Sequence, residues 1–188
     1  MQLIGLTGRA GSGKDTIASF LCEAHGFVQI ALADPLRDGL KAMLGVTDEQ
    51  LHRRDLKEAP IDWIGRSPRE LLQTLGTEWG REHVAADLWL RVAARRIDRI
   101  KASPPCLHVA GIVVSDIRFE NEADWLRDLG GQVWHIKGQK RHQLDGQTAA
   151  HSSEQHIPSR AGEPRIYNFG TLENLYDEVT ETLKEFSQ

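Results

Sequence analysis

Cysteine is nearly missing from this chain. Cys22 and Cys106 stand alone in 188 residues, which gives neither a disulfide framework nor a metal knuckle and fits a reducing cytoplasm. No apolar run approaches membrane-spanning length, so no membrane partner is expected. The first residues form an apolar strand rather than a signal peptide. Charge of one sign is also lacking: 23 basic and 27 acidic residues leave a net −4, and nothing points to nucleic acid as a partner. The acidic surplus is local, with Glu173, Asp177, Glu178, Glu181 and Glu185 facing Lys184 alone after residue 170. There is no internal repeat, no low-complexity tail and no Ser/His/Asp set arranged for nucleophilic work. His142, His151 and His156 lack both cysteine neighbours and the usual zinc spacing. These exclusions leave one soluble globular domain over 1–188, long enough to bury a large core.

What is present begins at residue 8. Gly8-Arg9-Ala10-Gly11-Ser12-Gly13-Lys14-Asp15-Thr16 follows the apolar run Leu3-Ile4-Gly5-Leu6 and precedes helical spacing at Ile17, Phe20, Leu21 and Ala24. Strand, glycine loop, lysine, helix is the context of a phosphate-binding P-loop. Glycines let the backbone turn its N–H groups toward a phosphate, and the helix adds its positive N-terminus. Lys14 is expected to face solvent until it reaches the β- and γ-phosphates. Asp15 occupies the place where a Mg²⁺-binding Ser or Thr usually follows the lysine, with Thr16 one later.

Phe27 to Leu32 reads as a second strand, and Asp34 as N-cap of a helix with Pro35 at its first position. Leu36, Leu40, Met43 and Leu44 form that helix's apolar stripe. After the charged 48–66 stretch, Ser67-Pro68-Arg69-Glu70 is a capping box opening a helix. That helix is expected to bury Leu72, Leu75 and Trp79 and to carry Arg69, Gln73 and Thr77 on one face. Gly76 would admit a ligand or neighbouring backbone. Residues 87–101 read as a further helix with Leu88, Val92 and Ile97 inside. Leu107 to Ile117 reads as a buried parallel strand. A helix with Phe119, Ala123, Leu126 and Leu129 inward then stops at Gly130-Gly131. Val133–Ile136 and Ile166–Phe169 are further strands, separated by the polar stretch 138–165. Thr171 caps a last helix striped by Leu172, Leu175, Val179, Leu183 and Phe186. Strands alternating with helices predict an α/β three-layer P-loop fold with a mainly parallel sheet. The lid-like segment 138–165 and a helical region 48–101, expected to bind the acceptor, extend it.

In such sheets ligands bind at the carboxyl ends of the strands. The P-loop, Asp34 with Arg37, and Asp116 with Arg118 all fall there. Asp116 follows an apolar strand as a Walker-B acid does and, with Asp15 and Thr16, is a candidate for Mg²⁺. The competing reading of Asp116 is a helix cap before Phe119. Scattered arginines beside a P-loop suit phosphoryl transfer, which needs charge neutralisation more than covalent chemistry.

Several stretches resemble the bacteriophage deoxynucleoside monophosphate kinases. They are the loop ending in Gly13-Lys14-Asp15-Thr16, then Ala33-Asp34-Pro35-Leu36, and Leu72-Gln73 with Gly76-Thr77-Glu78 and Arg81. Asp116-Ile117-Arg118-Phe119 with Asn121-Glu122, His151-Ser152-Ser153-Glu154 and Asn168-Phe169-Gly170-Thr171-Leu172 complete the set. The resemblance implies transfer of the γ-phosphate of ATP to a deoxynucleoside monophosphate with Mg²⁺, for phage DNA synthesis in the host cytoplasm, by a homodimer. It makes the Asp after the lysine a family trait. From their places at the strand ends, Arg37 and Arg118 are expected to act in transfer with Lys14 and Asp116. Asp34, Arg37, Arg69, Gln73, Thr77, Arg81 and Arg118 are the candidates for binding the acceptor, with Arg69 and Gln73 sharing a face beside Gly76. Lys137 stands where the family pattern has an arginine, and Lys140 and Arg141 are the other lid candidates. Two alternatives are a dephospho-CoA kinase or other small-molecule P-loop kinase, and a nucleotide sensor without transfer. Residues 68–81 and 116–122 do not resemble the former, and the arginines argue against the latter.

Overall fold

The computed structural model describes residues 1–102, 109–138 and 157–186. The chain divides into two compact units, Met1–Ala31 with Ser103–Gln188, and Leu32–Ala102.

The first unit is built on a five-stranded sheet: β1 (Gln2–Gly8), β2 (Phe27–Ile30), β3 (Gly111–Val114), β4 (Gln132–Gly138) and β5 (Arg165–Asn168), in the order β2-β3-β1-β4-β5. All four pairings are parallel. Side chains of β1 alternate between two covered faces, as a parallel strand requires. Ile4 and Leu6 meet Ile17, Ala18 and Leu21 of α1 (Lys14–His25) and Leu175, Val179 and Leu183 of α8 (Leu172–Phe186). On the opposite face, a Cβ on Gly5 would come within 2.8 Å of Leu126 in α7 (Glu120–Asp128), so the missing side chain lets α7 settle onto β1. Helix, sheet, helix is the three-layer arrangement expected. The buried strand is shorter than expected: its ladder spans only Gly111–Val114, and Leu107 lies outside the described residues.

The second unit carries α2 (Asp34–Leu44), α3 (Asp48–His52), α4 (Arg54–Glu58), α5 (Pro68–Gln73) and α6 (Leu88–Lys101). Leu40, Val46 and Leu51 form its small core, with Leu44, Ile61, Leu71, Leu72 and Leu75 against it. The capping box at Ser67 is present in both halves: Ser67 Oγ accepts from Glu70 N–H, and the Glu70 carboxylate accepts from Ser67 N–H at 2.8 Å. From Thr74 to Val84 the helix continues as a π-helix. Its i→i+5 bonding shifts the register of the faces. Trp79, expected inside, is therefore half exposed, while Gly76 and Gly80 are buried. Arg69, Gln73 and Thr77 are all exposed. On α6 the buried set is Trp89, Leu90, Ala93 and Ile97, with Leu88 and Val92 only half covered.

Other stripe ends also face outward. Met43, Leu129 and Leu172 are exposed, each in the first or last turn of its helix or just beyond it, where there is no layer left to cover them. Asp34 is not the N-cap of α2 but its first residue, Ala33 taking the cap position. The Asp34 carboxylate instead receives two arginines.

Candidate active site

The glycine loop leaves β1 at Gly8 and enters α1 at Lys14. Ser12 N–H donates to the Arg9 carbonyl at 3.1 Å, closing the turn. Gly11 and Gly13 sit at φ +74° and +104°, a region that only glycine occupies without strain. Gly13 caps α1 and supplies no side chain, so no side-chain cap covers the first N–H groups of the helix. N–H groups and a helix dipole so placed favour an anion. Lys14 does not simply face solvent. It is half-buried, and its ammonium donates to the carbonyls of Gly8 at 2.7 Å and Arg9 at 3.0 Å. The cation is thus folded over the loop that it serves.

Asp15 is exposed on the first turn of α1, and Thr16 beside it is half-buried. Asp116 follows β3 and is 9% exposed. Its neighbours are tied to the strands on either side: Ser115 N–H donates to Ile30 O of β2 at 3.1 Å, and Ile117 N–H to Leu6 O of β1 at 3.2 Å. Gln29 also donates to Ser115 Oγ at 2.9 Å. Asp116 therefore stands at the same carboxyl edge as the P-loop, one strand away. The N-cap position of α7 is Phe119, and the buried Glu122 carboxylate accepts the N–H groups of Arg118 at 2.7 Å and Phe119 at 3.1 Å. Arg118 consequently has a fixed backbone and an exposed side chain. Lys137 lies on β4, half-buried. Lys140, Arg141 and the other residues of 139–156 lie outside the described residues, as do Cys106 and the His151-Ser152-Ser153-Glu154 motif.

In the second unit, Arg37 Nη1 donates to Asp34 Oδ1 at 3.0 Å and Arg96 Nη1 to Asp34 Oδ2 at 2.6 Å. One carboxylate so orients two guanidinium groups. Arg37 Nε is buried and finds no partner among the described residues. Arg69 pairs with Glu58 at 2.5 Å. Gln73 and Thr77 are exposed, and Arg81 is half-buried on the π-helix. Trp89 donates its indole N–H to the Gly76 carbonyl at 2.7 Å. The space beside Gly76 is taken by a side chain, Leu36, rather than by backbone.

Sequence reasoning missed Arg96 and gave no role to Glu122 or Asn168, although both lie in stretches that carry the resemblance. Arg96 carries no local signal, since its partner is 62 residues away. Glu122 has the capping-box spacing from Phe119, and that spacing could have found it. Asn168 ends a parallel strand at the ligand edge, but its target lies 156 residues earlier.

Fold and loop together define a P-loop protein. The same fold is shared, at 16% identity and a TM-score of 0.53, with a gluconokinase from Sinorhizobium meliloti 1021, over 98% of this chain and 93% of that one. A Thermus thermophilus structure, TT1252, matches at 21% identity and a TM-score of 0.57, over 98% and 97%. The family model described as "Deoxynucleotide monophosphate kinase" matches residues 62–179. A putative deoxynucleotide monophosphate kinase of Acanthamoeba polyphaga mimivirus is 33% identical over all of this chain and 99% of its own length. The deoxynucleotide monophosphate kinase of Enterobacteria phage T4 is 25% identical, over 98% of this chain and 99% of its own. The chain belongs to the deoxynucleotide monophosphate kinase family, and it is a phosphotransferase. No described helix is long and apolar enough to cross a membrane.

Proposed function

We propose that this protein transfers the γ-phosphoryl group of ATP to the phosphate of a deoxynucleoside monophosphate. The observation that carries the reading is a P-loop at the carboxyl edge of β1, with its lysine folded over it, in a chain of this family. An acceptor phosphate oxygen forms the new O–P bond as the bond to the β,γ-bridging oxygen breaks, and ADP leaves. The loop N–H groups and Lys14 hold the donor phosphates, with Gly8, Arg9, Ala10, Gly11, Ser12, Gly13, Asp15 and Thr16 as the surrounding wall. The Lys14 ammonium exchanges two neutral carbonyls for anionic oxygens when the donor binds, a stronger charge-assisted bond.

Arg37 and Arg96 grip the acceptor phosphate, and Asp34 positions both. The buried, unpartnered Nε of Arg37 supports this, because a phosphate oxygen would satisfy it. Gln73, Thr77, Arg69 and Arg81 contact the nucleoside part, and Arg118 neutralises charge on the transferring group. Asp15, Thr16 and Asp116 offer hard oxygen donors, which fit Mg²⁺ directly or through water. When bound, the ion neutralises charge on the donor phosphates. The enzyme works as a homodimer in the cytoplasm of a phage-infected host.

The test is an ATP-consumption assay with each common deoxy- and ribonucleoside monophosphate, and with dephospho-CoA. ADP should form only when a deoxynucleoside monophosphate is present. Lys14→Met should lower turnover by at least 100-fold, the scale on which a transition-state donor acts, with little change in thermal melting. Equal ATP consumption without acceptor, or use of dephospho-CoA alone, would overturn the reading.

A further inference from the structure

Asn168 ends β5 and takes no part in the roles assigned above. Its Nδ2 donates to the carbonyl oxygen of Ser12 at 3.0 Å. The same amide covers the α-carbon of Gly13 so closely that a Cβ there would collide with it. From β4, Gly138 approaches equally near: a Cβ on it would lie 2.7 Å from Ser12 O and 2.9 Å from Ser12 Cα. The Ser12 hydroxyl is buried without a partner among the described residues, so the hold on this part of the loop is through its backbone.

A trans peptide is planar, and its C=O and N–H point in opposite directions. Fixing the Ser12 carbonyl toward β5 therefore fixes the Gly13 N–H away from β5. Gly13, at φ +104°, has no Cβ to resist rotation of that peptide plane, and glycine visits both hands of backbone conformation readily. A flipped plane would present a carbonyl where the loop needs a donor for phosphate. We propose that Asn168 is a positioning residue for the donor nucleotide, locking the Ser12–Gly13 peptide so that Gly13 N–H stays available to a phosphate oxygen. Asn168 touches no reacting atom. It acts through the loop, and it rests on the reading that the loop holds the donor phosphates.

Asn168→Leu keeps the approximate shape without a donor, and Asn168→Ala removes the amide without adding charge beside the phosphate loop. Both variants should weaken ADP binding by calorimetry and raise the KM for ATP about three- to tenfold, the range of one lost hydrogen bond. The KM for the acceptor and the melting temperature should stay near wild type. In nucleotide-free protein, the amide resonance of Gly13 should move or broaden. Should Asn168→Leu fold poorly, Asn168→Ala carries the test. Wild-type ADP affinity in either variant, or equal changes in both KM values, would overturn the assignment. Lys14→Met run in parallel separates the two ideas. If it retains turnover, the P-loop reading itself fails; if it is inactive while the Asn168 variants bind ADP normally, only this proposal fails.

Discussion

Residues near the carboxyl edge of the sheet divide into those with free ends and those wholly spent on holding others. Glu122 is of the second kind. Its carboxylate is 2% exposed and accepts two backbone N–H groups, one of them from Arg118. Hydrogen bonds to a charged group contribute about 1.5–3 kcal/mol each, so Glu122→Ala, which removes two, should cost about 3–6 kcal/mol in urea unfolding. It should also lower kcat/KM about tenfold, because the Arg118 backbone loses its anchor while the side chain remains. Lost stability with an unchanged rate would make Glu122 a capping-box residue and nothing more. The glycine loop was legible in sequence down to the residue, because all its parts are consecutive. The acid that fixes Arg118 was only half legible. Its spacing was visible, but nothing in the spacing says that the carboxylate would be buried.

At the scale of elements, the alternation of strand and helix was readable because each period is local. The π-helix Thr74–Val84 was not, since propensity and spacing describe α-helical turns. It packs against Trp89. The indole is 9% exposed, bonds the Gly76 carbonyl, and fills the space where a Gly80 side chain would stand. Gly80→Ala should therefore overpack a rigid ring and cost about 1–3 kcal/mol in urea unfolding. The displaced π-helix carries Thr77 and Arg81, so the KM for the acceptor should rise while the KM for ATP stays put. A stable variant with both KM values unchanged would show that Trp89 can yield and that the π turn has no part in acceptor binding.

For the whole molecule, the least legible feature is an ionic network, centred on the largely covered Glu163–Arg127 pair, that joins distant segments. Glu163 accepts from Arg127 Nε at 2.7 Å, from Arg160 N–H at 2.8 Å and contacts His135 Nε2 at 2.8 Å. Arg127 and Arg160 both bond Asp124 as well. The stretch 157–164 is thereby tied to α7 and β4, over separations of 28 and 36 residues that no local pattern encodes. Burial alone would push the Glu163 carboxyl up, but the Arg127 guanidinium, the Arg160 N–H and His135 hold it below the usual carboxylate range. A carboxyl lowered in the folded state binds its proton more readily once unfolded. Its contribution is then fully present above the unfolded value of about 4.3 and is lost as pH falls through the lower folded value. Glu163→Gln leaves Arg127, itself 12% exposed, without its main charge partner. Urea unfolding at pH 7 should show a loss on the order of 3 kcal/mol, as for other broken buried pairs. That gap should narrow progressively below about pH 4, because the wild-type carboxylate is being neutralised there too. A gap of constant size down to pH 3 would mean that Glu163 stabilises the fold through its shape and hydrogen bonds rather than through its charge.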